Sequence, residues 1–276
     1  MTETQRPEIG ATVVANGIKT NYLEEGNGKP VVFIHGSGPG VTAYANWRLV
    51  MPGLAPHYRV LAPDMVGFGY TERPDGVTYN VQTWADQVIG FMDALSVQTA
   101  SLVGNSFGGA IALRLVTQHP ERVDKIILMG SMGVSFPITE GLDRVWGYQP
   151  SVENMRQMLG IFAYSPKLAN DEELARVRYE ASIEPGFQES FSSMFPPPRQ
   201  NGVEEMTTPE EELRKIDKET LIVHGRDDKV IPLETSLKLV QLIDRSQLHV
   251  YGRCGHWTQI ERADDFVRLV DDFLAQ

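Results

Sequence analysis

One cysteine in 276 residues, Cys254, rules out an internal disulfide and points to a reducing compartment. No apolar run approaches the roughly 18 residues that a bilayer crossing needs, so no membrane partner is expected. The opening Met1-Thr2-Glu3-Thr4-Gln5-Arg6-Pro7 lacks the apolar centre of a secretory signal, and the expected location is the cytoplasm. Positive charge is scarce: 25 Lys and Arg against 36 Asp and Glu leave a net charge of −11. That balance argues against nucleic acid or an anionic membrane as partner. It also gives no general pull on a small anion, so an anionic substrate would need a local cation in its pocket. The 6 histidines are scattered without ligand spacing, so no metal is expected. Nucleotide fingerprints are missing too, and no cofactor is expected.

What is present is an alternation of short apolar runs and helical patterns. Ala11–Val14 and Ile18–Leu23 flank Asn16-Gly17, a strong hairpin signal. The later runs, Val31–Ile34, Tyr58–Leu61, Ala100–Val103, Lys125–Met129, Thr220–Val223 and Gln247–Tyr251, suit strands buried on both faces of a parallel sheet. Val81–Leu95, Phe107–Gln118, Leu233–Ile243 and Ala263–Leu274 read as helices between them. The expectation is an α/β fold with its ligand site at the carboxyl ends of the strands. The alternation breaks over residues 135–207, where Val152–Phe162 and Asp171–Ser182 are helix-like and aromatic and methionine residues are dense. This segment is expected to be a helical lid, with residues 1–134 and 208–276 forming the core domain. Ordinary packing is the plainer use of most of its aromatics.

The chemistry concentrates in three places. Gly104-Asn105-Ser106-Phe107-Gly108 joins an apolar run to a helical pattern, and G-x-S-x-G in that setting exposes a nucleophilic serine on a sharp turn. A serine hydroxyl needs a base, and the base an orienting acid. His256 follows the last expected strand, in Cys254-Gly255-His256-Trp257, and is the candidate base. Asp228 fits G-x-x-D-x-x-x-P after the Thr220–Val223 strand, with Asp227 as its competitor. The order Ser106, Asp228, His256 fits the Ser…Asp/Glu…His chain order of hydrolases that use such an elbow. The loop His35-Gly36-Ser37-Gly38-Pro39-Gly40 allows close backbone approach, so the N–H groups of Ser37 and Phe107 are the expected oxyanion donors.

Four stretches together carry a resemblance: His35-Gly-Ser-Gly-Pro-Gly-Val-Thr-Ala-Tyr-Ala-Asn-Trp47, Ala62-Pro-Asp-Met-Val-Gly-Phe-Gly-Tyr70, Gly104-Asn-Ser-Phe-Gly-Gly109 and Cys254-Gly-His-Trp257. With the lid stretches around Trp146, Arg178 and Pro185–Ser190, the chain resembles the meta-cleavage product hydrolases from about residue 10 onward, closest to the branch acting on monocyclic aromatics. The resemblance implies an α/β-hydrolase fold, an eight-stranded mostly parallel sheet flanked by helices, with a helical lid. It implies a serine-dependent hydrolase cleaving a C–C bond in 2-hydroxy-6-oxo-2,4-dienoates after a shift to the keto form, without a cofactor. By the same resemblance Arg178 binds the dienoate carboxylate and 2-oxygen, Asn46 and Asn105 hold that end, and Trp257 walls the pocket. Ile138, Val230 and Trp146 are its candidates for the acyl pocket, and a homodimer is its implied assembly. Ser106 either attacks the 6-oxo carbon or positions water there.

Two other functions compete. A small-ester carboxylesterase of the same fold would not need Arg178. A ligand receptor that kept the fold would show little turnover. A haloalkane dehalogenase is disfavoured because the elbow carries serine where that reaction uses aspartate.

Overall fold

The structure is a computed structural model that describes residues 6–276. Eight strands form one sheet: β1 (Ala11–Ala15), β2 (Ile18–Glu25), β3 (Lys29–Ile34), β4 (Tyr58–Pro63), β5 (Ala100–Asn105), β6 (Val123–Met129), β7 (Thr220–Gly225) and β8 (Ser246–Tyr251). Their order is β1-β2-β4-β3-β5-β6-β7-β8. β1 pairs antiparallel with β2, and β2 with β4; every other pairing is parallel. Asn16 and Gly17 both take positive φ, 48° and 80°, the two-residue turn whose twist matches a hairpin.

Alternating side chains of the central strands feed two buried layers. Val32, Ile34, Leu102 and Leu128 join Trp84, Phe91 and Phe107 on one face, while Val31, Phe33, Val103 and Met129 join Trp47 and Phe266 on the other. β5 is buried at all 6 positions and sits mid-sheet, so the turn after it emerges where neither layer covers the strand ends. β8 departs from the expected two-sided burial. It is the outermost strand, with β7 as its sole neighbour, and Val250 is 38% exposed.

Between β6 and β7 the chain leaves the sheet for a run of helices, including Glu140–Trp146, Val152–Phe162, Glu172–Ser182 and Phe187–Met194. Ser151 caps the second of these by accepting from Asn154 N–H. Met155, Met158, Leu159 and Phe162, spaced for one helical face, are buried against the rest of the molecule. Asp171 caps the third helix rather than belonging to it. Among the described residues no helix is long and apolar enough to cross a membrane.

Candidate active site

Ser106 sits between β5 and the helix Phe107–Gln118 with φ 53° and ψ −113°. A side chain held at such a positive φ costs on the order of 1–3 kcal/mol, so its surroundings must over-determine it. Ser106 N–H donates to Met129 O at 2.8 Å, and Ser106 O accepts from Gly109 N–H at 3.0 Å and Met132 N–H at 3.1 Å. The flanking glycines are sterically required. A Cβ at Gly104 would stand 2.5 Å from the Gly108 carbonyl oxygen, and one at Gly108 would collide with Ile34 O. Phe107 opens the helix, so its N–H has no intrahelical acceptor.

His256 lies beyond β8 and Asp228 beyond β7, both buried. His256 Nδ1 is 2.7 Å from Asp228 Oδ2. The other carboxylate oxygen accepts from Val230 N–H at 2.7 Å and Ile231 N–H at 3.0 Å. Burial alone would raise the Asp228 carboxyl, but His256, His224 and these N–H groups together hold it below the usual carboxylate range. An ionised carboxylate only accepts, so His256 carries its proton on Nδ1 and leaves Nε2 free as a base. Asp227 does not compete: its carboxylate accepts from Cys254 N–H at 3.3 Å. Ser106 and His256 flank the same turn. A Cβ on Gly130 would lie 3.2 Å from His256 Nδ1, and residues 129 and 132 bond to the Ser106 backbone. In this arrangement the Ser106 hydroxyl makes no hydrogen bond to His256, whose Nδ1 faces Asp228.

The loop after β3 is held by its own histidine. Met65 N–H donates to His35 Nε2 at 3.0 Å, so the ring proton sits on Nδ1 and donates to Gly36 O at 2.8 Å. Burial pushes the His35 imidazole down to about 4. Asn46 Oδ1 accepts from Gly36 N–H at 3.3 Å and from Asn105 Nδ2 at 3.0 Å, tying this loop to the serine turn. From the helical insertion, Trp146 Nε1 donates to Ser37 Oγ at 3.1 Å. Val230 is buried beside Asp228, and Ile138 is half-buried against the core.

A cavity of about 210 Å³ opens beside this cluster, between the segment 40–48, the helix Glu172–Ser182 and residues 257–260. It gathers Asn46, Arg178 and Trp257, whereas Ser37, Asn105, Ser106, Phe107 and His256 lie outside its lining. The Asn46–Asn105 bond and the Trp257–His256 peptide connect the two regions. Arg178 Nη2 donates to Pro39 O at 3.2 Å, but its Nε is enclosed without a partner. Asn46 Nδ2 and both amide atoms of Gln259 are likewise buried and unpaired. Enclosure, with Arg48 nearby, lowers the Arg178 guanidinium to about 10. Among the described residues no carboxylate forms an ion pair with it, and no cluster of His, Cys, Asp or Glu could hold a metal ion.

A family model for the alpha/beta hydrolase fold matches residues 29–263. The 2-hydroxymuconate semialdehyde hydrolase of Pseudomonas sp. (strain CF600) is 60% identical over 270 residues, covering 98% of this chain and 95% of that one. The 2-hydroxy-6-oxo-2,4-heptadienoate hydrolase of Pseudomonas putida (strain F1) is 59% identical, with 97% of each chain covered. A solved meta-cleavage product hydrolase from Pseudomonas fluorescens IP01, a serine-to-alanine mutant complexed with acetates, superposes with a TM-score of 0.97 at 57% identity, covering 98% of this chain and 99% of that one. The chain belongs to the meta-cleavage product hydrolases of the α/β-hydrolase fold.

In this hydrolase the helical insertion and the His256 loop are fastened by a residue without a motif. Glu261 accepts from Gly255 N–H at 2.7 Å, Ser165 N–H at 2.7 Å and Tyr164 N–H at 3.1 Å. Phe162 stacks on Trp257 with centroids 4.8 Å apart. Sequence reasoning passed over Glu261 and Gln259 because each looks like an ordinary polar residue of a terminal helix. The spacing from His256 offers a weak signal, but an unpaired buried amide appears only once the chain is folded. Chemically, the hydrolase offers a base with a free Nε2, a serine on a strained turn, unengaged N–H groups beside it and an uncompensated guanidinium one cavity away.

Proposed function

We propose that this hydrolase cleaves the C5–C6 bond of 2-hydroxy-6-oxo-2,4-dienoates, the ring-fission products of monocyclic aromatics. The observation that carries this reading is the enclosed, uncompensated Arg178 in a cavity whose other orphaned groups are amides. A planar guanidinium with no carboxylate partner suits a bound carboxylate flanked by a second oxygen. An esterase for small neutral esters has no use for that charge. Gln259 and Asn46 supply N–H donors, and Gln259 Oε1 an acceptor, for the same carboxylate and 2-hydroxyl end.

A carbon leaving group is far poorer than an alkoxide, so bond breaking needs an electron sink. His256 Nε2 takes the 2-hydroxyl proton and returns a proton to C5, giving the 2-oxo form beside Arg178. Ser106 attacks C6, or positions the water that does, the nucleophile's proton passes to His256 Nε2, and the C6 oxygen's charge falls to the N–H groups of Ser37 and Phe107. The C5–C6 electrons then pass through C3=C4 into the 2-oxo group, and the resulting dienolate takes a proton from His256, releasing 2-hydroxypenta-2,4-dienoate and, after water addition, the carboxylic acid. Asp228 fixes the His256 tautomer throughout. Residues 135–207 act as the lid, and the acyl group faces Trp146, Val230 and Ile138. A cytoplasmic homodimer completes the proposal, on the strength of the sequence resemblance; sedimentation velocity tests the dimer.

Relatives of nearly equal identity carry the names of a semialdehyde and a methyl ketone substrate, so the carbon-six group belongs in the assay. Stopped-flow absorbance with dienoates bearing hydrogen, methyl, isopropyl or phenyl at C6 should show rapid bleaching with the small groups. Ser106→Ala should abolish cleavage while leaving ketonisation. Absence of bleaching beside good ester turnover would sink the proposal.

A further inference from the structure

Arg178 is not the sole cation of the cavity. Arg48 lines it too, from the end of the helix Ala43–Trp47. Its Nη1 donates to Ala45 O at 2.8 Å, as Arg178 Nη2 donates to Pro39 O, so a helix carbonyl and a loop carbonyl six residues apart pin the two guanidiniums. A single such bond leaves most of each fork unused. Among the described residues neither arginine forms an ion pair, although Glu8 also lines the cavity. Two like charges facing one space repel, and Arg48 is part of what lowers the Arg178 guanidinium. An anion between them would relieve that repulsion.

Both arginines are half-buried, but the Arg178 Nε is enclosed whereas the Arg48 Nε is not. A protein with a net charge of −11 repels a small anion at long range. A partly exposed cation lining a low-dielectric cleft can reverse that sign locally, because the cleft walls focus its field.

We propose that Arg48 is a specificity-determining residue that draws small carboxylates into this cavity and passes the anion inward to Arg178. The inference rests on the proposed dienoate substrate. It predicts that capture, not the chemical step, depends on Arg48: kcat/KM falls when the charge is removed, while kcat is nearly unchanged.

The test is the salt dependence of kcat/KM for the C6-methyl dienoate, between ionic strengths of about 0.01 M and about 1 M, where the screening length shrinks from roughly 30 Å to roughly 3 Å. Wild-type kcat/KM should fall as salt rises, opposite to the trend that whole-molecule repulsion imposes. Arg48→Gln should lower kcat/KM about five-fold at low salt and flatten the slope, with Arg48→Lys restoring most of both. A neutral nitrophenyl ester serves as the uncharged control, and the dienoate-to-ester ratio should fall with the charge. A wild-type rate that rises with salt overturns the inference without any variant, and so does an Arg48→Gln slope equal to wild type. If wild type does not cleave dienoates at all, the failure lies in the proposed reaction instead.

Discussion

Acidification should strike the loop that carries Ser37 through a residue that takes no part in the chemistry. His35 is fully buried, accepts from Met65 N–H and donates to Gly36 O, so a second ring proton would face a donor. Its imidazole is pushed down to about 4 by burial, against about 6.5 in the unfolded chain. A folded value below the unfolded one means that the unfolded chain binds the proton first as pH falls. Stability from this group is therefore complete above about pH 6.5 and is lost progressively down to about pH 4. At about 1.4 kcal/mol per unit, the loss is about 2 kcal/mol by pH 5 and about 3 kcal/mol by pH 4.

Other groups overlie this window and must be subtracted. Burial raises Asp64 to about 6, so the folded state binds that proton first, and its contribution has the opposite sign, growing as pH falls from about 6. His224, held low by burial, adds to the His35 loss. The clean quantity is thus a difference of differences. Urea unfolding followed by tryptophan fluorescence at pH 7 and pH 5 should show wild type losing about 2 kcal/mol more than His35→Gln. An equal pH dependence in both proteins, or a His35 ring that titrates near 6.5 by NMR, would refute the reasoning.

Further outcomes follow from the same geometry. Asp228→Asn places an amide donor among groups that already donate to it, and kcat for C–C cleavage should fall about 10⁴-fold with little change in folding, read by stopped flow and circular dichroism. Glu261→Ala strips the acceptor from three backbone N–H groups, so unfolding stability should fall by about 1–3 kcal/mol, and proteolysis near residues 163–165 should accelerate. Arg178→Ala should reduce dienoate kcat/KM about 100-fold or more while a neutral ester loses far less; equal losses on both substrates would remove Arg178 from carboxylate recognition.

Much of this molecule is legible from the chain. The helices Phe107–Gln118 and Val152–Phe162 run between the residues that the sequence marks: the first is a nearly continuous apolar run that is buried on most sides and stops before Pro120, and the second buries one face. The elbow is legible for a local reason: glycines at 104 and 108 are demanded by atoms a few residues away or on the adjoining strand. Asp228 and His256 are legible as types and positions past strands, since strand ends converge on one edge of a parallel sheet. β8 misled because a run's own residues do not say whether a second strand lies beside it.

Long-range encounters were decided only by the folded chain. Whether Asp227 or Asp228 meets His256 depends on backbone direction after β7, and the 2.7 Å contact goes to Asp228. Glu261 reaches residues about a hundred positions earlier, and Trp146 crosses from the insertion to Ser37. The pairing of Arg48 with Arg178 across one cavity has no trace in sequence, where 129 intervening residues separate them. Periodicity and turn chemistry act over a few residues and are written in the chain. Charge, enclosure and the orphaning of polar atoms act through space, so they exist only once the helices close over the sheet.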